Sequence, residues 1–200
     1  PAYPSGGTQG GRADPCSEEI VLSNFTDART VARLGHDLRL TVSADSNYEN
    51  RHSKFNGISG SALQIMLRTG TRTRLAFTFE HATTGQPVFL DRFRIFVVDL
   101  DTNANGAQVE CVGAYGPKTL LFSDPTTEPT TLSFDGFPAK YCATAPDVSN
   151  VEPGVPITAA MRQAAIGFIY ENTNHFDVDI RIIAPNGNGQ RGFQFLGSFA

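Results

Sequence analysis

The sequence predicts an all-β protein: an antiparallel two-sheet β-sandwich of jelly-roll type with at most one short helix. Three observations predict it. Apolar residues recur at every second position in many short runs, the pattern of a half-buried strand. Turn-forming clusters of Gly, Pro, Asn and Asp separate those runs at near-regular spacing. There is no internal repeat and no alternation of strands with long helices, which sets a parallel α/β sheet aside. Two hundred residues suit one such unit, since all-β domains reach ~200–250 residues. Fifteen Phe and no Trp, with many Val, Ile and Leu, supply the core.

Taken in order, residues 1–15 are rich in Gly, Pro and Ser and lack periodicity. They read as a flexible arm or linker, because their apolar content is too low to offset the entropy of ordering them. Residues 16–200 form the single sandwich domain. Ile20 to Phe25 is a first strand. Leu38, Leu40 and Val42 alternate with polar residues, whereas Ala62 to Leu67 is apolar on both faces and belongs inside a sheet. Leu75, Phe77 and Phe79 alternate again. Val88 to Leu100 gives one long strand, or two with a bulge. Val109 to Tyr115, Thr119 to Phe122 and Thr131 to Phe134 follow. Ile166, Phe168 and Tyr170 define a further strand, then Val178, Ile180 and Ile182, then Phe193, Phe195 and Phe199. The one helix expected is Ile157 to Ala165, with Pro156 at its first turn and Gly167 past its end.

The net charge of −4 is mild and argues against nucleic-acid binding. No stretch approaches the ~20 apolar residues of a membrane span. The chain opens Pro1-Ala2-Tyr3 rather than on Met, which reads as a processed or excised piece whose leader has been removed. Asn24-Phe25-Thr26 is an N-glycosylation acceptor. Cys16, Cys111 and Cys142 allow three pairings, each leaving one thiol over. Cys111 and Cys142 share the middle region and are taken as the disulfide. These features together place the chain outside the cell.

The densest chemistry lies between Asp99 and Glu110. In a twelve-residue calcium loop the ligands fall at positions 1, 3, 5, 7, 9 and 12. Here those positions hold Asp99, Asp101, Asn103, Asn105, Ala107 and Glu110. Such hard oxygen donors suit Ca²⁺, with the carbonyl of Asn105 and a water at Ala107. Position 6, where the turn wants Gly, is Ala104, and the flanks are strands. The competing reading is an Asx-rich hairpin between strands ending at Val98 and starting near Val109. Asp45, Asn47, Glu49 and Asn50 form a second oxygen-rich segment, and Asp135 lies in a third.

Thirteen Arg stand against three Lys. Arg72 and Arg74 project from one strand face, and Arg92 and Arg94 in the next strand are expected beside them. Four guanidinium groups in a stripe would suit sulfated or uronic glycans through forked hydrogen bonds. The alternative is a solvated face balanced by Glu80, Asp91 and Asp179. Tyr48, Tyr115 and Tyr141 fall in or near loops and are candidate sugar-stacking rings, against the plainer reading of amphipathic Tyr at strand edges. None of the four His stands at a zinc spacing. Asp177 and Asp179 share a strand face, the crude spacing of a glycosidase pair, yet Arg181 on that face argues for charge pairing.

The run Phe93-Arg94-Ile95-Phe96-Val97-Val98-Asp99-Leu100-Asp101, with the Gly and Asn turns after it, is similar to secreted jelly-roll modules of the carbohydrate-binding or lectin-like sort. The resemblance implies a secreted, non-enzymatic binding or adhesion module. It would be calcium-stabilised and would recognise a glycan or surface protein through loops at one end. Two alternatives stand beside it. One is a structural subunit of an extracellular filament, coat or matrix that self-assembles through its N-terminal arm. The other is a polysaccharide lyase or hydrolase on the same fold.

Overall fold

The computed structural model describes residues 19–23, 34–45, 48–49, 56–59, 62–122, 140–143, 164–185 and 189–199. Among these residues twelve strands form two six-stranded sheets. In the first sheet the order is β1 (Glu19–Ser23), β2 (Leu38–Ala44), β5 (Arg72–His81), β11 (His175–Ile183), β7 (Val109–Ala114) and β9 (Lys140–Cys142). In the second it is β3 (Gly57–Ser59), β4 (Ala62–Arg68), β12 (Gln190–Phe199), β6 (Leu90–Val98), β10 (Ile166–Thr173) and β8 (Thr119–Phe122). Every pairing is antiparallel. The expected all-β sandwich of two antiparallel sheets is what the chain forms.

The alternating runs account for the inner faces. Leu38, Leu40 and Val42 on β2, and Leu75, Phe77 and Phe79 on β5, are buried. Phe176, Val178, Ile180 and Ile182 on β11 lie beside them. The second sheet answers with Leu63, Ile65 and Leu67, Phe193 and Phe195, Phe93, Ile95 and Val97, and Ile166, Phe168 and Tyr170. These side chains form one core. Its aromatic centre bridges the sheets. Phe176 of β11 lies 5.0 Å from Phe93 of β6 and 4.7 Å from Tyr170 of β10, centroid to centroid. Phe79 meets Phe93 edge-on at 4.8 Å. Contacts of this offset and edge geometry add to simple burial.

From β4 to β12 each connection carries the chain from one sheet to the other. Strands adjacent in sequence are therefore stacked across the core rather than paired within a sheet. This corrects the sequence expectation in two places. Val98 and Val109 do not belong to one hairpin, because β6 and β7 lie in opposite sheets. Arg72 and Arg74 do not neighbour Arg92 and Arg94, for β5 pairs with β2 and β11 and not with β6. The strand expected over 88–100 is shorter and unbroken. Strands β3 and β9, three residues each, were too short to leave a periodic signal. Cys16, Asn24, the strand expected at 131–134 and nearly all of the helix expected at 157–165 lie outside the described residues. Of that helix Ala164 and Ala165 are described, and they lead into β10 without helical structure.

Cys111 and Cys142 are disulfide-bonded, as the sequence pairing had it, and are direct partners in the β7–β9 register. The bond closes a loop of 31 residues. Constraining that loop in the unfolded chain is worth roughly 3–4 kcal/mol in the chain-entropy description. The double variant Cys111→Ala/Cys142→Ala is expected to lose about that much stability, read as a lower denaturant midpoint, with a steeper dependence on denaturant because the freed unfolded chain exposes more surface.

Candidate functional site

Two groups of polar side chains stand out, one buried between the sheets and one open on the outer face of the first sheet. The buried group begins on β12, where Arg191, Phe193 and Phe195 alternate with Gly192 and Gln194. Arg191 thus shares its phase with two core Phe and reaches between the sheets. Its Nε donates to Glu110 Oε1 at 2.6 Å, and its Nη2 donates to Asp101 Oδ1. Glu110 lies in phase with Val112 and Ala114 on the inner side of β7. Its second oxygen, Oε2, accepts from the Asp101 backbone N–H at 3.2 Å.

Asp99 completes the group. It takes a left-handed backbone conformation, φ 62°, at the point where β6 ends. Asp and Asn tolerate that region better than other side chains. Asp99, Asp101 and Glu110 are respectively 5%, 4% and 1% exposed, so three carboxylates share the interior with one guanidinium. Asp99 Oδ1 is buried without a hydrogen-bond partner among the described residues. Burial pushes the Asp99 carboxyl up to about 7, against the pull of Arg191. Burial, and then the nearby Asp99 carboxylate, push Glu110 well above the usual range. Burial lowers Arg191, with Asp99 opposing.

The tip of the loop closes on itself. Thr102 bridges Val109, and the Asn103 N–H donates to the Gln108 carbonyl. Asn103 Oδ1 accepts from the Gln108 N–H at 2.8 Å, and Asn105 Oδ1 from the Ala107 N–H at 3.0 Å. Gly106 supplies the positive φ of this turn. The five residues expected as calcium ligands are therefore divided. Asp99, Asp101 and Glu110 converge on Arg191, whereas Asn103 and Asn105 serve the turn. Among the described residues, no three His, Cys, Asp or Glu side chains gather as a ready metal shell.

The open group follows from the other phase of the same strands. Arg72 and Arg74 alternate outward with buried Thr73 and Leu75 on β5, and the outward residues of β11 are His175, Asp177, Asp179 and Arg181. Arg72 Nε donates to both oxygens of Asp179, at 2.8 and 3.0 Å. The Arg74 guanidinium lies 4.1 Å above the centre of the Tyr115 ring, and its Nη2 donates to Tyr115 Oη at 2.6 Å. Its Nη1 stands 3.8 Å from Asp177. That carboxylate also lies 3.0 Å from His175 Nε2, and His175 Nδ1 is 3.2 Å from Thr78 Oγ1. Asp45, Glu49, Thr71, Arg72, Arg74, Tyr115 and Asp179 line a cleft of about 620 Å³. Glu49 is ion-paired to Arg68, and Asp45 Oδ1 accepts from Thr73 Oγ1 at 2.6 Å.

Of the ligand-binding residues named from sequence, Arg72, Arg74 and Tyr115 meet in this cleft. Tyr48 does not. It packs against the core, donating to the Met66 carbonyl and accepting from Asn56. Arg92 lies in the second sheet, 3.9 Å from Glu171, and Arg94 lies there too with its Nε buried. Asp177 and Asp179 are each charge-paired. The residue that sequence reasoning missed is Arg191. Its signal was there: a charged side chain in phase with Phe193 and Phe195.

No family model matches the chain, and no curated protein matches it. A solved structure does share its fold. The chain is similar to the N-terminal domain of the Streptococcus gordonii adhesin Sgo0707, with a TM-score of 0.50 at 7% sequence identity. The likeness covers 89% of this chain and 46% of that one, so this chain spans less than half of the adhesin structure. At that identity the likeness establishes the fold alone. Among the described residues no helix is long and apolar enough to cross a membrane.

The buried group sets a pH dependence. In the unfolded chain Asp99 titrates near 3.8, but in the folded protein near 7. Between those values the folded state holds a proton that the unfolded state has released, so this contribution is complete below about pH 4 and lost as pH rises through about 7. In chelating buffer the melting temperature is expected to fall from pH 5 to pH 7.5. Asp99→Asn, which keeps the shape and tolerates the positive φ, should flatten part of that fall, the rest belonging to Glu110, whose carboxyl burial also raises. An equal slope in both proteins would show that Asp99 is not its source.

Proposed function

We propose that the protein is a non-enzymatic, extracellular binding module of adhesion type that takes a glycan in the cleft on its first sheet. The observation that carries this reading is the cleft itself, whose lining residues, among those described, all carry a polar group. Small-molecule sites for apolar ligands are lined mainly by hydrophobic groups. A lining of carboxylates, guanidinium groups, a hydroxyl and a phenol instead matches a polyhydroxylated ligand, whose hydroxyls both donate and accept. The disulfide agrees with an oxidising, extracellular setting. The adhesin whose domain shares the fold is in keeping with a surface role. The winding of the chain between the two sheets supports the jelly-roll reading.

The test is a glycan array read with wild type and with Tyr115→Ala. Saturable binding is expected in the wild type, with at least about tenfold loss in the variant and little change in melting temperature, as is usual for a surface substitution. Binding that survives the change intact would remove the cleft as the site. The self-assembling subunit is the second reading, and β1 favours it, since among the described strands β1 pairs with β2 alone. Mass measured against concentration separates the two, for a binding module stays monomeric.

Calcium belongs to the proposal through charge. Three carboxylates against one guanidinium leave the buried group two negative charges from balance, and two protons or one divalent cation would restore it. At pH 7.5, 1 mM Ca²⁺ is expected to raise the melting temperature by several degrees over excess chelator. A ligand at ~100 times its Kd adds about 2.7 kcal/mol. Asp99→Asn should lose the response. An unchanged wild type would leave protons as the balancing charge.

A further inference from the structure

We infer that the ligand of the cleft is an acidic glycan carrying carboxylate groups, and that Arg74 is the residue that receives the carboxylate. The inference rests on the glycan reading of the cleft and deepens it. Two neighbouring cations are committed to carboxylates of the protein itself. Arg72 holds Asp179 through two contacts, and Arg68 holds Glu49. Arg74 differs. Its short partner is the neutral hydroxyl of Tyr115, while its nearest carboxylate, Asp177, stands back at 3.8 Å and is shared with His175.

The Arg74 side chain is 47% exposed, yet it is not loose. Its Cζ stands over the Tyr115 ring, and a hydrogen bond fixes one of its nitrogens. A guanidinium oriented in this way loses less freedom when a planar carboxylate docks on its remaining N–H groups. The charge around it also limits the ligand. Asp45, Asp177 and Asp179 lie close by, so a densely sulfated chain would meet repulsion that a single carboxylate per sugar escapes. One oriented cation among several acids selects low charge density.

The experiment uses the intact protein and immobilised oligosaccharides bearing glucuronate, galacturonate or sialic acid, each beside its methyl ester, with dextran sulfate and neutral glucans as comparators. Wild type is expected to bind acidic members at least tenfold better than their esters. Arg74→Lys, which keeps the charge and loses the fork, should lose that preference at an unchanged melting temperature. Tyr115→Phe, which keeps the ring and loses the hydrogen bond, should weaken binding only a few-fold. Equal binding to acid and ester, or a preference for neutral glucans, overturns the carboxylate inference and leaves the glycan reading in place. Tighter binding to dextran sulfate that Arg74→Lys does not alter overturns it as well. Binding to no glycan of any kind overturns both.

Discussion

Arg191 spans the space between the two sheets and meets Glu110 on the opposite one, and the loop that joins β6 to β7 is fixed to the same guanidinium through Asp101. Most of the contact between the described faces of the sheets is apolar packing, which is non-directional. A charged fork facing two carboxylates is directional. It sets β12 against β7 at one register, and the cooperating backbone bond from Asp101 to Glu110 locks the loop to the strand. Buried ion pairs of this kind are not strong sources of stability, because desolvation consumes most of the attraction. Their value lies in what breaking them costs. Removing Arg191 would strand three carboxylates in the interior.

The aromatic cluster does the complementary work at the other end of the sandwich. Phe79, Phe93, Tyr170 and Phe176 come from four strands and both sheets. Because each connection after β4 crosses between the sheets, no strand beyond β4 pairs with its neighbour in sequence, and these ladders wait for distant strands to meet. Such topologies delay the gain from contacts until large loops have closed. The disulfide reduces that cost for the segment between β7 and β9.

The outer face of the first sheet is a consequence of the inner one. Once Leu75, Phe77, Val178 and Ile180 are committed to the core, the period of two sends Arg72, Arg74, Asp177 and Asp179 outward together. Register then decides the pairs. Arg74 stands opposite Asp179, and Tyr115 follows β7 beside Asp177. The ring of Tyr115 covers Arg74 as a result, and the cleft takes its shape from that contact.

Alternation and turn residues were enough to place most of the strands and the residues that face inward, because burial of one face is a local property repeated every second residue. The Cys111–Cys142 pair was legible for a similar reason, being the two cysteines within the middle region. Strand partnership was not legible. Nothing in Arg92 or Arg94 says that their strand belongs to the sheet opposite Arg72 and Arg74, since a connection's path is settled by the packing of the whole core. The acidic loop shows the same limit. Its oxygen-rich composition stood in the sequence, but the cation that meets Asp101 and Glu110 lies 90 and 81 residues further along the chain. Period-two phase marked Arg191 and Glu110 as inward charges, and only the folded sandwich brought them together.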